Sequence, residues 1–166
     1  MAVEIERKYI IEMPPLDYIS TLSGYSESAI VQTYLLSVGA MSSRVRRREF
    51  QGRVVLTQTK KVKIDGMSAE EDEREISEEE YARLMEEKDT ALNPIKKVRY
   101  TFGFDGFIYE IDVYPEWKNT AIMEVELSDR DEQVNVPSFI KIIKEVTGDR
   151  RYSNHSMAKC FPEEEK

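Results

Sequence analysis

Two carboxylates and one ammonium group alternate with apolar side chains near the start of the chain. Between residues 3 and 9, an extended strand would put Glu4, Glu6 and Lys8 on one face and apolar side chains on the other. Carboxylates one pleat apart can bind a hard divalent cation, and an ammonium group beside them can bind an anion. The spacing therefore indicates a strand that can hold a metal ion and an anionic ligand side by side.

The same alternation recurs in five further segments, which carry charges of both signs. Their charged members are Arg44 and Arg46, Glu71 and Glu73, Lys97 and Arg99, Glu110 and Asp112, and Glu124 and Glu126. If these faces met solvent, the apolar faces would share a core in a sheet or sandwich with helices on one side. In a closed barrel, the charged faces would instead line a central tunnel, and the apolar faces would pack outward against helices.

Composition narrows the class of protein. A chain of 166 residues is long enough for one domain with a sizeable core, and 40% hydrophobic with 34% charged residues is typical of a soluble globular protein. The net charge of -8 argues against nucleic acid as a partner. Cys160 is the single cysteine, which excludes an internal disulfide, and no signal peptide or membrane-spanning run is recognisable. We expect a cytoplasmic protein without a membrane partner.

Strand patterns divide the chain into regular pieces. We predict eight strands, at about residues 2–12, 28–37, 43–50, 53–61, 70–76, 95–102, 106–114 and 120–127. Asp105 and Gly106 form a hairpin signal between the sixth and seventh strands.

Helix signals interrupt this series of strands. Ser77 and Glu80 form a capping box at the start of a helix that continues to about residue 88. Pro137 suits the first turn of a second helix that would end at Gly148, and a short helix is expected over residues 16–22. Residues 163–166 are expected to form a solvated acidic tail after a single domain over residues 1–162.

The charged pairs belong to an ordered series of motifs that covers nearly the whole chain. The series is Glu4-x-Glu6-x-Lys8, Gln32-Thr-Tyr34-Leu35, Arg44-Val-Arg46, Glu71-x-Glu73, Lys97-Val-Arg99-Tyr100, Glu110-Ile-Asp112, Glu124-Val-Glu126 and Asp149-Arg-Arg151-Tyr152-Ser-Asn154. It resembles the triphosphate tunnel metalloenzymes, or CYTH superfamily, which include thiamine triphosphatases, inorganic triphosphatases and class IV adenylate cyclases. The resemblance implies a mainly β (α+β) fold: an eight-stranded antiparallel β-barrel that forms a charged tunnel, with helices packed outside.

The resemblance also implies roles for residues in the tunnel. Expected ligands of Mg²⁺ or Mn²⁺ are Glu4, Glu6, Asp112, Glu124 and Glu126. Expected substrate-binding residues are Lys8, Tyr34, Arg44, Arg46, Lys60, Glu73, Lys97, Arg99 and Arg151. Expected catalytic residues are Glu4, Glu6, Lys8 and Lys97.

Two assignments within the tunnel stay open at this stage. A bulge of one residue in the fourth strand would exchange Lys60 for Lys61 on the tunnel face. Glu4 and Glu6 could bind a second metal ion or orient the attacking water.

The function that the resemblance implies is a metal-dependent triphosphatase. It would release orthophosphate from tripolyphosphate or a related triphosphate compound, and a small anionic triphosphate is therefore the expected partner. A class IV adenylate cyclase is an alternative, disfavoured because no His-Phe element precedes Glu4. A noncatalytic polyphosphate-binding protein is a second alternative, but an anion binder has no need of so many carboxylates. The oligomeric state is open between a monomer and a homodimer.

Overall fold

The computed structural model describes residues 2–165. The described strands are β1 (Ala2–Glu12), β2 (Ser26–Tyr34), β3 (Ser42–Phe50), β4 (Arg53–Lys63), β5 (Ser68–Glu75), β6 (Ile95–Phe104), β7 (Phe107–Val113), β8 (Thr120–Leu127) and β9 (Ile142–Glu145). The described α-helices are α1 (Leu16–Ile19), α2 (Glu78–Met85) and α3 (Asn154–Lys159), and a 3-10 turn (Arg150–Tyr152) precedes α3. Within residues 2–165, no helix is long and apolar enough to cross a membrane.

Eight of the strands form a closed antiparallel barrel in the order β5-β4-β3-β2-β6-β7-β8-β1. Pairing between β1 and β5 closes the ring, with Glu4 opposite Ala69. All eight predicted strands are present, so the predicted barrel is confirmed. Closure gives each strand a hydrogen-bonded neighbour on both sides, which removes open sheet edges.

The outer face of the barrel wall is apolar. Ile11 and Met123 are fully buried there and belong to a cluster that includes Ile19 of α1. Around the barrel, Leu84 of α2 packs in a second cluster with Val45 on β3. Because the apolar faces are used outside, the alternating charged faces point into the barrel.

One end of the barrel interior is filled by apolar side chains. Ile10 and Ile122 continue the inner faces of β1 and β8, and they pack with Tyr152 of the 3-10 turn and Met157 of α3. Trp117 belongs to the same cluster and donates a hydrogen bond from Nε1 to the carbonyl oxygen of Pro162 at 3.0 Å. The interior is therefore a cup with one closed end.

The prediction of a helix over 137–148 is wrong. This segment has turns at 138–139 and 147–148 and one short strand, β9 (Ile142–Glu145), which pairs with the half of β1 that β5 leaves uncovered. Its apolar side chains separate between two clusters, with Phe139 on the outer face of the barrel and Ile143 and Val146 at the closed end. The open edge of β1 and the β-branched side chains outweigh the helical spacing.

The prediction of a solvated tail is also wrong for two of its residues. Glu164 Oε1 accepts a hydrogen bond from Thr120 Oγ1 at 3.1 Å. Glu165 Oε1 accepts hydrogen bonds from Tyr152 OH at 3.1 Å and from Lys144 Nζ. Lys166 lies outside the described residues. These contacts hold the C-terminal segment against the closed end of the barrel.

Candidate active site

Strand register brings most of the predicted site residues to one inner surface. Lys8 lies opposite Glu124, and Glu6 lies opposite Glu126. Across the remaining pairs, the residues that share this face are Tyr34, Arg44, Arg46, Glu73, Lys97, Arg99, Glu110 and Asp112. Opposite residues in an antiparallel pair point to the same side of the sheet, so a single charged surface results.

A clamp of four residues occupies the wall formed by β6 and β7. Asp112, which is 1% exposed, accepts hydrogen bonds from Lys97 Nζ at 2.9 Å and from Arg99 Nε at 2.7 Å. Arg99 Nη2 gives a third hydrogen bond at 3.0 Å, and its Nη1 lies 2.7 Å from Glu110 Oε2. Burial would raise the pKa of the Asp112 carboxyl, but the charges of Arg99 and Lys97 hold it well below its usual range. The clamp is therefore a preassembled, charge-balanced unit.

Lys97 is the most buried cation of this clamp. Its side chain is fully enclosed, and burial lowers its pKa to about 7, an effect that Asp112 opposes and Arg99 reinforces. An amine with this pKa exchanges its proton near neutral pH.

The wall formed by β3 and β4 carries arginines that are held more loosely. Arg44 Nη2 lies 3.7 Å from Glu71 Oε1, and Arg46 Nη1 lies 3.9 Å from Glu73 Oε1. Arg46 Nη2 also donates to Gln32 Oε1 at 3.1 Å. Within residues 2–165, the buried Nε atoms of both arginines have no hydrogen-bond partner. Since an Nε–H can only donate, these groups lack an acceptor.

The wall formed by β1 and β8 concentrates carboxylates. Glu124 raises the pKa of Glu6 to about 8, together with burial. A hydrogen bond to Glu71 raises the pKa of Glu4 to about 8, together with burial and the charge of Glu71. Burial would raise the pKa of Glu124, but Lys8 and Arg99 lower it to about 2. Glu4 and Glu6 are therefore crowded by negative charge that the protein does not neutralise fully.

Lys8 links this acidic wall to the closed end of the cup. Its Nζ lies 3.4 Å from Glu124 Oε1 and donates a hydrogen bond to the carbonyl oxygen of Tyr152 at 3.1 Å. The side chain is 15% exposed. The ammonium group is thus fixed at the floor of the cup, beside the carboxylates.

The five predicted metal ligands differ in their availability. Both oxygens of Asp112 already accept hydrogen bonds from cationic side chains, whereas Glu4, Glu6 and Glu126 make no ion pair in the described part of the chain. Among the described residues, no group of three or more His, Cys, Asp or Glu side chains is preassembled for a metal ion. The four glutamates on β1 and β8 nevertheless offer hard oxygen ligands, which suit Mg²⁺ or Mn²⁺.

The choice of Lys60 for the inner face is wrong. The β4 register places Lys61 opposite Ser42 and Glu71 on the inner face, so Lys60 points outward and is exposed. No bulge interrupts the pairing of β4, and simple alternation from Thr57 and Thr59 therefore selects Lys61.

The structure also separates Arg151 from the inner surface. The Arg151 side chain is 66% exposed, and its Nη2 lies 2.8 Å from Asp149 Oδ2, so the predicted role in substrate binding has no support in this arrangement.

Lys63, on the inner register of β4, was missed by sequence analysis. Burial lowers the pKa of Lys63, and the charges of Lys61, Lys8 and Arg150 add to this effect. Simple alternation beyond Lys61 could have found Lys63.

Comparison with known proteins finds a relative that matches nearly the whole chain. An inorganic triphosphatase of Acetivibrio thermocellus is 32% identical over 167 residues, which cover 96% of this chain and 95% of that protein. The chain belongs to the triphosphate tunnel metalloenzyme family. No protein-family model matches the chain.

Solved structures share the fold of this family member. The inorganic triphosphatase NE1496 superposes with a TM-score of 0.62 at 24% identity, and the match covers 98% of both chains. The protein PH1819 of Pyrococcus horikoshii OT3 gives a TM-score of 0.61 at 18% identity, over 77% of this chain and 80% of that one. A putative adenylyl cyclase from Hippeastrum, described as having dominant triphosphatase activity, gives 0.52 at 17% identity, over 76% and 80%. At these identities the superpositions establish the fold alone.

Proposed function

We propose that this protein is a metal-dependent triphosphatase that releases orthophosphate from tripolyphosphate. The observation that carries the proposal is the pair of buried Nε atoms of Arg44 and Arg46, which lack acceptors in the described part of the chain. Buried donors are normally satisfied, so their orientation into the cup favours a bound oxyanion. The name of the relative from Acetivibrio thermocellus agrees with this proposal.

The charges of the cup suit a linear triphosphate. Arg44, Arg46, Lys61 and Lys8 lie on the inner face and can donate to phosphoryl oxygens, the arginines through two nitrogens at once. Arg99 is already paired with Asp112 and Glu110. Groups that bind phosphate in this way also stabilise the charge that develops during its transfer.

The carboxylates of β1 and β8 fit a divalent cation. The raised pKa values of Glu4 and Glu6, about 8 in each case, reflect like charges and burial that a cation would relieve. Glu4, Glu6, Glu124 and Glu126 would hold Mg²⁺ or Mn²⁺. When bound, such an ion would neutralise phosphate charge and lower the pKa of a coordinated water.

Side chains of the protein would orient the substrate and move a proton. Lys8 is fixed between Glu124 and the closed end, where it can orient one end of the triphosphate. Lys97 is the candidate for moving a proton, because burial lowers its pKa to about 7. Asp112 holds Lys97 and Arg99 in place, and it serves these cations instead of a metal ion.

Tripolyphosphate is favoured over ATP on the basis of the lining of the cup. The inner residues that can face a ligand are mainly Arg, Lys and Glu, which bind phosphate and metal. Because one end is closed by apolar side chains, a nucleoside would have to project from the other end. It would gain few contacts there.

A phosphate-release assay tests the proposal. The purified protein would be given tripolyphosphate, thiamine triphosphate, ATP or pyrophosphate, each with Mg²⁺, with Mn²⁺ or with EDTA. We expect the highest specificity constant for tripolyphosphate and no turnover in EDTA. Full activity in EDTA would contradict metal dependence, and conversion of ATP to pyrophosphate and a cyclic nucleotide would favour the cyclase alternative. A tenfold preference for ATP or thiamine triphosphate, equivalent to about 1.4 kcal/mol, would mean that a pocket for an organic group exists.

A further inference from the structure

The hydroxyl of Thr57 is buried and has no hydrogen-bond partner among residues 2–165. Thr57 lies on the inner face of β4, directly opposite Arg46 on β3. Side chains in such cross-strand pairs start about 4.5–5.5 Å apart at their Cβ atoms. The hydroxyl and the Arg46 guanidinium therefore border the same small volume inside the cup.

The groups around this volume define what can bind there. The terminal nitrogens of Arg46 reach Gln32 at 3.1 Å and Glu73 at 3.9 Å, but the buried Nε atoms of Arg46 and Arg44 have no acceptor in the described chain. An Nε–H only donates, while a hydroxyl can donate as well as accept. Glu75 lies opposite Thr57 on β5, but it is exposed, and the two guanidinium groups on the β3 side disfavour a cation there. The ligand atom must therefore be an acceptor with negative charge.

The neighbouring threonine on the same face shows a different arrangement. Thr59 Oγ1 donates to Glu73 Oε1 at 3.1 Å, so this hydroxyl is satisfied within the protein. Thr57 is two residues away on the same inner face and has no such partner. The contrast indicates that the Thr57 hydroxyl is available for a hydrogen bond to a bound ligand.

We propose that Thr57 Oγ1 and Arg46 Nε together form a subsite for one nonbridging phosphoryl oxygen of the substrate. This makes Thr57 a substrate-binding residue, and the inference rests on the proposed triphosphatase function. The hydroxyl donates to the oxygen beside the Arg46 donor, which fixes the position of one phosphoryl group against the β3–β4 wall.

Three variants test this subsite with tripolyphosphate as the probe. Thr57→Val removes the hydroxyl and keeps the shape, and Thr57→Ser restores the hydroxyl. Thr33→Val makes the same change on the outer face of β2, opposite Val45. The measurements are KM and kcat with Mg²⁺, the Kd by calorimetry in EDTA, and the melting temperature.

We expect Thr57→Val to raise both KM and Kd about tenfold, since a hydrogen bond to a charged group is lost. Thr57→Ser and Thr33→Val should stay within about twofold of the wild type. The melting temperature of Thr57→Val should not fall, because no hydrogen bond within the protein is removed.

The possible failures can be told apart. Unchanged KM and Kd in Thr57→Val, or a melting temperature lowered by several degrees, would overturn the subsite and leave the proposed function standing. Wild-type binding of tripolyphosphate without release of orthophosphate would overturn the proposed hydrolysis, and the Kd of Thr57→Val would still decide the subsite. Failure of the wild type to bind tripolyphosphate in either condition would overturn both.

Discussion

Two walls of the same barrel treat their cations differently. On β6 and β7, Lys97 and Arg99 are joined to Asp112 by hydrogen bonds of 2.7 to 3.0 Å. On β3 and β4, Arg44 and Arg46 lie 3.7 and 3.9 Å from their nearest carboxylates. We infer that folding alone supplies the partners of the cations on the β6–β7 wall. The cations on the β3–β4 wall gain their close partners when a ligand binds.

This difference separates stability from binding. A buried carboxylate that balances two cations should matter most for folding, because its removal leaves uncompensated buried charge. An arginine without a close carboxylate contributes less to folding and can still bind substrate strongly. Variants in the β6–β7 wall should therefore mainly lose stability, and variants in the β3–β4 wall should mainly lose activity.

The largest expected effect on stability is in the β6–β7 wall. Asp112→Asn should lower the free energy of unfolding by about 3–5 kcal/mol, because Lys97 and Arg99 lose their shared counter-charge. Urea unfolding measures the change. The control is Glu73→Gln, whose loose pair with Arg46 should be worth less than about 1 kcal/mol. Equal losses in the two variants would remove the distinction between the walls.

Arg46→Ala should have the opposite profile. We expect kcat/KM for tripolyphosphate to fall about 10²–10³-fold, as for the loss of one preorganised oxyanion donor. The free energy of unfolding should fall by only about 1 kcal/mol, the cost of losing the hydrogen bond to Gln32, because burial and the charges of Arg44 and Arg99 already lower the pKa of Arg46 to about 10. Arg47→Ala is the matched control, since Arg47 lies on the outer face and pairs with Glu49 at 3.6 Å. A loss of stability without a loss of activity in Arg46→Ala would mean that Arg46 serves folding and not substrate binding.

Lys61 and Lys60 give a smaller test of the same wall. Lys61→Ala should raise KM about tenfold, equivalent to about 1.4 kcal/mol, because an inner cation is lost. Lys60→Ala should leave KM unchanged, since Lys60 is exposed on the outer face. Steady-state kinetics of the two variants decide the point, and a larger effect from Lys60 would mean that the β4 register is different.

The acidic wall adds a pH effect that is smaller still. Glu4 and Glu6 have pKa values raised to about 8, so the folded state binds protons more tightly than the unfolded state. Their stabilising contribution is complete below about pH 4.5 and is lost as the pH rises through about 8. Without metal, we expect the protein to lose about 1 kcal/mol between pH 5.5 and 7, after allowance for solvent screening.

Melting temperatures measure this loss, which corresponds to about 2–4 °C. Added Mg²⁺ should reduce the slope with pH, and so should Glu6→Gln. A melting temperature that rises between pH 5.5 and 7 without metal would show that the carboxylates are not crowded as described.

Local sequence patterns were sufficient to predict the eight strands, whereas the choice of a closed barrel over a sheet or sandwich came from the family resemblance. Each of the eight strands is recognised from its own alternation, and helix α2 from the capping box at Ser77. The residues that were missed or misassigned depend on contacts distant in sequence. The segment after Pro137 has helical spacing, but part of it forms a strand because it pairs with the open edge of β1. The choice between Lys60 and Lys61 required the register of β4.

The assignment of roles within the site had the same limit. The family resemblance implied that Asp112 is a metal ligand, but its partners Lys97 and Arg99 come from β6. The missing partner of Thr57 is equally invisible in the sequence. The identity of the charges could be predicted from alternation, whereas their pairing is a property of the closed barrel.

A crystal structure with tripolyphosphate and Mn²⁺, including an anomalous difference map, tests the central claim most directly. We predict a triphosphate inside the cup, with a phosphoryl oxygen within about 3.2 Å of Arg46 Nε. The anomalous signal of Mn²⁺ should lie among Glu4, Glu6, Glu124 and Glu126, with Asp112 still bonded to Lys97 and Arg99. A triphosphate bound outside the barrel, or Mn²⁺ coordinated by Asp112 after release of the two cations, would contradict this account.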